Sequence, residues 1–164
     1  MKDIILIVHD IRSCHNVGSL LRTAEGIGVR NVYFSGYTPY PTEQDDRRLP
    51  HIHQKLTKQI QKTALGAEHT QKWEHTDNVE LTIQSLKNDG YTVLALEQTE
   101  TSVPLHTYQQ PDKIAILIGR EVEGIDAELI KLADTAVEIP MYGNKESFNV
   151  VQATAMLLYH LRFN

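Results

Sequence analysis

Three stretches of this chain mix glycine with amide, carboxylate or guanidinium side chains, and each comes shortly after an apolar run. After residues 4–8 comes Asn16-Val17-Gly18-Ser19-Leu20-Leu21-Arg22-Thr23-Ala24-Glu25-Gly26. After residues 114–118 comes Gly119-Arg120-Glu121-Val122-Glu123-Gly124. After residues 135–139 comes Pro140-Met141-Tyr142-Gly143-Asn144-Lys145-Glu146-Ser147-Phe148-Asn149. Glycine lets backbone approach a ligand closely, the amides at a helix start hold polar ligand groups, and Arg22 is a permanent cation. Each stretch also has a plain structural reading. An N-cap asparagine with a surface arginine accounts for the first, a tight turn before Asp126 for the second, and a capped strand-to-helix connection for the third. The glycine spacing matches neither the dinucleotide fingerprint nor the P-loop, whose Lys-Ser/Thr is missing.

Other reactive residues carry less. Cys14-His15 has the composition of a thiol nucleophile with a base, and is read as an incidental loop pair. Among eight histidines, His51 and His53 are spaced like metal ligands. No Cys or Asp/Glu cluster completes a zinc set around them, so no metal site is expected.

The elements that must position these residues alternate between strand and helix. Residues 4–8 read as a fully buried strand. A helix is expected from Asn16, a good N-cap residue, to Gly26 and Gly28. Asn31–Ser35 reads as a second strand, followed by a long loop to Pro50 that also holds Pro39 and Pro41, and long loops in compact domains are often functional. Residues 51–62 read as a short helix. Asp77 is expected to cap a helix with Leu81, Ile83 and Leu86 on its apolar face, closed by Gly90. Strands follow at 91–96 and 114–118. Asp126 is expected to cap a short helix to Ala133, and 135–139 forms the next strand. The last helix, residues 149–161, is capped by Ser147 or Asn149 and is apolar on most sides, so it needs cover on more than one face. Continuous apolar strands alternating with helices predict an α/β fold: a parallel sheet covered by helices on both faces. When ligands bind such sheets, they bind at the carboxyl ends of the strands, where all three polar stretches lie.

Composition sets the frame. With 41% hydrophobic and 23% charged residues over 164 positions, the chain reads as one globular domain, 1–164. The longest apolar runs fall short of the roughly 20 residues of a membrane span. A single cysteine excludes an internal disulfide and suits a reducing cytoplasm. The net charge of -5 argues against a nucleic-acid partner on average. Locally, however, residues 47–67 contain no Asp or Glu, while Arg47, Arg48, Lys55, Lys58 and Lys62 lie among them. This segment is read either as a solvated surface or as an RNA-facing one, with His51 and His53 beside it.

Taken together, in order and spacing, the three stretches resemble the three motifs of the SpoU/TrmH family of RNA methyltransferases, within the SPOUT superfamily. The resemblance covers nearly the whole chain. It rests on Asn16, Gly18, Arg22, Ala24 and Gly28; on Leu117, Gly119, Glu121 and Gly124; and on Ile139-Pro140-Met141, Gly143 and Ser147-Phe148-Asn149-Val150. Residues 62–68 with Trp73 also look like one subgroup of that family. Two positions depart from it: Phe148 stands where leucine is usual, and Val151 where a small residue is.

The resemblance implies a deep trefoil α/β knot in the C-terminal half and a homodimer. It implies S-adenosyl-L-methionine held by backbone near Leu96, Gly119, Ile139, Met141 and Phe148. The implied activity is methyl transfer to a ribose 2′-hydroxyl of tRNA or rRNA. Arg22 would take or relay the hydroxyl proton or anchor an RNA phosphate, reaching into the partner subunit's site. Asn16, Ser147 and Asn149 would orient the ribose and Arg22, and Glu121 would fix the second loop or Arg22. A non-catalytic RNA-binding or ribosome-assembly factor that kept this fold is the competing expectation, but it has no need of that polar set.

Overall fold

The computed structural model describes residues 2–164. A seven-stranded, wholly parallel sheet forms its centre, with β1 (Asp3–His9) between β2 (Asn31–Ser35) and β6 (Lys113–Ile118). From edge to edge the order is β3 (Trp73–Thr76), β2, β1, β6, β4 (Thr92–Leu96), β7 (Thr135–Glu138) and β5 (Val103–Pro104). Side chains alternate across a strand, and both sets are buried here. Ile4, Leu6 and Val8 of β1 join one core, while Ile5 and Ile7 join the other. Ile114, Ile116 and Ile118 against Ala115 and Leu117 repeat the division in β6.

The first core is roofed by α1 (Cys14–Ile27), α2 (Pro50–Ala64) and α6 (Val150–Phe163). The second is roofed by α4 (Val79–Asn88) and α5 (Ala127–Leu132). One turn of helix, α3 (Ala67–Thr70), leads into β3. The expected covered parallel sheet is therefore present, with strand bounds within a residue or two of those read from the apolar runs. The order of connection changes where β6 inserts between β1 and β4, and because every strand runs parallel the loops after β1, β4, β6 and β7 open on one side of the sheet.

Several local expectations change. Ser13, not Asn16, caps α1, its hydroxyl accepting from the Asn16 amide at 3.2 Å. Asn16 thus lies in the first turn with its side chain free for another partner. Asn78 rather than Asp77 caps α4. Leu81 is 68% exposed, and the buried face of α4 is Val79, Ile83 and Leu86. Strands β3 and β5 escape an apolar-run reading because Trp-Glu-His-Thr and Val-Pro offer none. Asn149, not Ser147, caps α6, accepting from Val151 N at 2.9 Å. α6 buries Thr154, Leu157, Leu158 and Leu161 and leaves Met156, Tyr159 and Phe163 exposed, so its second apolar face is uncovered in the monomer.

Two contacts lock the helical roof. Gly18 lets α1 press directly on α2, for a Cβ there would collide with the Ile60 carbonyl and the Thr63 hydroxyl. Arg162 near the end of α6 donates to the carbonyls of Lys2, Ile27 and Gly28 at 2.6, 3.0 and 2.7 Å. No helix among the described residues is long and apolar enough to cross a membrane. Gly18→Ala is expected to destabilise the fold by about 1–3 kcal/mol through overpacking. Gly26→Ala, with open space around its Cβ, is expected to be neutral or slightly stabilising. Thermal unfolding of both variants checks this, at about 2–4 °C per kcal/mol for a chain of this size.

Candidate functional site

A cleft opens at the carboxyl ends of β4, β6 and β7. Its apolar walls include Leu96, Ile139 and Phe148, and its backbone floor includes Gly119. Glycine is required at 119, where a Cβ would stand 2.7 Å from the Ile125 side chain and 2.8 Å from the Gly124 carbonyl. The loop after β6 closes on itself, Arg120 N and Gly124 N each donating to the other residue's carbonyl at 3.2 and 3.1 Å. Gly124 adopts a left-handed φ of 72° and lies against the Glu97 carboxylate, leaving no room for a side chain.

Glu97 is a site residue the apolar-run reading overlooks. Directly after β4, its carboxylate accepts from Ile125 N at 2.9 Å and from Gln98 N at 3.0 Å, binding the β4 loop to the β6 loop. The signal available in the sequence was an acid immediately following a buried strand.

Glu121 joins the first and second polar stretches. Its Oε1 accepts from Asn16 Nδ2 at 3.0 Å and from Ser13 N at 3.3 Å, and its Oε2 accepts from Arg12 N at 3.4 Å. Asn16 is thus oriented by a carboxylate 105 positions later in the chain. Glu121 and Ser147 line the cleft together with Leu96, Gly119, Ile139 and Phe148. Met141, half-buried, is not part of its wall. Asn149 reaches the site only through capping α6. Asp126 occupies the N-cap position of α5 without a capping bond and pairs with Arg120 instead.

Arg22 is not brought to this cleft within one chain. Six residues at about 100° each carry it to another face of α1 from Asn16. There it is exposed in a shallow groove with Ser19, Thr23, Lys62 and Thr63. Lys55, Lys58 and Lys62 are exposed at helical spacing along α2, and Arg47 is exposed just before it.

Arg48 is different. Its guanidinium lies 3.6 Å from the Tyr40 ring centroid, pairs with Asp46, and donates to the Tyr40 and Pro41 carbonyls at 3.1 and 2.9 Å. The expectation of a free RNA-facing cation is therefore corrected: all three guanidinium nitrogens donate within the 40–48 loop. His53 is likewise tied, its Nδ1 lying 2.9 Å from the Thr42 hydroxyl.

The charge of the site is divided. Glu97, Glu121, Glu123 and Glu138 all border the cleft, whereas the α1–α2 side carries Arg22 and the α2 lysines. An acid-lined pocket with apolar walls suits a cationic ligand that has an apolar body; a basic helical face suits a polyanion. Burial pushes the half-buried Cys14 thiol up, away from the thiolate form. Among the described residues, His9, Asp10 and Asp126 are grouped closely enough to share a cation. They already have protein partners: Ser35 Oγ for His9, Tyr37 N for Asp10 and Arg120 for Asp126.

Comparison with known proteins places these observations in a lineage. The sequence profile described as the SpoU rRNA Methylase family matches residues 3–159. The tRNA (guanosine(18)-2′-O)-methyltransferase of Aquifex aeolicus is 27% identical over 161 residues, covering 96% of this chain and 68% of that protein. The 23S rRNA (guanosine(2553)-2′-O)-methyltransferase RlmP of Bacillus subtilis is 25% identical over 166 residues, covering 96% of this chain and 57% of that one. This chain thus spans roughly three-fifths to two-thirds of the length of the relatives it matches. The crystal structure of an AdoMet-bound rRNA methyltransferase from Sinorhizobium meliloti shares the fold, with a TM-score of 0.82 at 22% identity, over 99% of this chain and 57% of that one.

The Arg48 cluster makes a pH-resolved prediction. The Arg48 side chain, with two backbone amides, holds the buried Asp46 carboxyl far below the usual carboxylate range. A depressed folded value adds stability above the unfolded value of about 3.9 and loses it as pH falls further. Asp46→Asn is expected to cost about 1–3 kcal/mol at pH 7. Urea unfolding should show the same deficit at pH 5, shrinking below pH about 3.9.

Proposed function

The chain belongs to the SpoU rRNA Methylase family, and from that membership we propose that it is an S-adenosyl-L-methionine-dependent methyltransferase acting on a ribose 2′-hydroxyl of tRNA or rRNA. The observation that carries the reading is the acid-bordered, apolar-walled cleft whose Glu121 is bonded to Asn16. Its residues fit the cofactor. Gly119 leaves backbone exposed where a Cβ would be excluded, Leu96, Ile139 and Phe148 suit an adenosine, and the glutamates suit a sulfonium and an ammonium. When bound, S-adenosyl-L-methionine supplies a methyl group made electrophilic by its sulfonium.

What remains is alignment of the hydroxyl and removal of its proton. Asn16, whose side-chain amide donates to Glu121 of the cleft, would orient the ribose with its amide oxygen. Ser147 offers a hydroxyl on the opposite lip, and Asn149 sets the start of α6 beneath it. Arg22, with Lys62 beside it, either anchors an RNA phosphate or takes and relays the hydroxyl proton once a phosphate is bound. Because Arg22 lies away from its own chain's cleft, this reading includes a homodimer in which Arg22 serves the partner's site. The exposed Met156, Tyr159 and Phe163 of α6 supply an apolar face for that pairing. The reading also includes a knotted C-terminal half, as membership of this family implies. It further includes a single catalytic unit working in a reducing cytoplasm, supported by the lone cysteine. Arg47, Lys55, Lys58 and Lys62 would meet the RNA backbone.

Calorimetry should detect S-adenosyl-L-methionine binding, and labelled methyl transferred to total tRNA or rRNA should resist alkaline hydrolysis at the modified step. Arg22→Ala is expected to lower turnover by about 100-fold or more while cofactor affinity stays unchanged. Cofactor binding without transfer to either RNA would sink the catalytic reading in favour of an RNA-binding assembly factor.

A further inference from the structure

A second pocket lies on the same edge of the sheet and shares no lining residue with the cofactor cleft. It is bounded by Arg12, Tyr37, Tyr40, Arg48, Leu56 and His75. Its inner wall is a fixed stack: the Arg48 guanidinium over Tyr40, and Tyr40 against His75 with ring centroids 4.3 Å apart. Its rim is Tyr37, whose ring is 49% exposed, and Arg12, whose side chain is 70% exposed with its guanidinium 5.6 Å from the Tyr37 centroid.

The backbone that carries Tyr37 is pinned although the ring is free. Tyr37 N donates to Asp10 Oδ1 at 3.0 Å. The Thr38 hydroxyl donates to the Val8 carbonyl and accepts from Ile11 N, both at 3.1 Å. Gly36, at a φ of 64°, lies against the Asp10 carboxylate, where no side chain fits. A rigid support for an exposed aromatic ring flanked by an arginine is what stacking of an unpaired base requires. The packing of the fold makes no comparable demand on this ring, because Tyr40 already fills the inner position against Trp73 and His75.

Position ties the pocket to the reaction. Arg12 N donates to the same Glu121 that orients Asn16, and the Arg12 guanidinium lies 3.8 Å from Glu123. On the other side, Leu56 belongs to α2, which carries the exposed Lys55, Lys58 and Lys62. We propose that the Tyr37–Arg12 pocket holds an unpaired RNA base flanking the methylated nucleotide, with the base stacked on Tyr37 and Arg12 on the base or its phosphate. This rests on the RNA-methyltransferase reading above and adds a subsite through which the substrate strand is recognised.

The test uses the full chain, total tRNA, and a short single-stranded RNA carrying 2-aminopurine, whose fluorescence is quenched by stacking. Wild type and Tyr37→Phe should quench the probe, and Tyr37→Ala should not. Tyr37→Ala should weaken binding of both RNAs about tenfold without changing the slope of log Kd against log salt. Arg12→Ala should lower that slope by about one. S-adenosyl-L-methionine affinity and Tm should match wild type in all three variants. Tyr37→Ala binding both RNAs like wild type would overturn the subsite alone. A drop in its Tm or cofactor affinity would assign Tyr37 a structural role and overturn it equally. A wild-type protein that binds neither RNA would overturn the RNA reading itself, and the subsite with it.

Discussion

Burial of the parallel sheet on both faces is the constraint from which the rest of this molecule follows. β1 and β6 are apolar at every interior position, so their faces have no room for a polar side chain that lacks a partner. Polar chemistry is displaced to the strand ends. A parallel sheet puts all the carboxyl ends on one side, so residues from distant parts of the chain meet there. Glu121 is where that convergence becomes a bonded structure: one carboxylate accepts from the backbone of Arg12 and Ser13 and from the side chain of Asn16. Glu97 does the same between the β4 and β6 loops.

The sequence made the strands legible because an apolar run bounded by glycine, proline or asparagine has few alternatives in a chain of this composition. It made Gly119 and Gly124 legible as close approaches for the same reason. What escaped was whatever depends on a partner far along the chain. Asn16 has the chemistry of an N-cap, and only the arrival of Glu121 shows that its amide is engaged elsewhere while Ser13 does the capping. Arg48 is indistinguishable by type from Arg47, yet Asp46 and Tyr40 fold around one and leave the other in solvent. β3 is an edge strand with a polar sequence, placed by its pairing with β2 rather than by its own pattern. Tyr37 reads as a loop aromatic until the pinning of its backbone is seen.

A net charge of -5 also conceals an organised field. Four glutamates line the cleft together with Arg120, whereas Arg22, Lys55, Lys58 and Lys62 stand exposed on α1 and α2. The Arg12–Glu123 and Arg120–Asp126 pairs lie beside the cleft. A cationic small molecule and a polyanion are thus offered neighbouring but distinct surfaces, so neither ligand's electrostatics must be weakened to admit the other.

The position of β1 has a consequence for biosynthesis. β1 is made well before its partner β6, yet it is a central strand. One of its edges waits for β6, which begins at Lys113, and the backbone of Lys2 beside it receives Arg162 only when α6 is made. Until β6 is synthesised, the apolar strand β1 therefore keeps one edge unpaired. Such long-range closure slows folding and prolongs exposure to aggregation. Closure of the sheet is consequently timed by the synthesis of β6, and the Arg162 tie to the Lys2 backbone can form only after that.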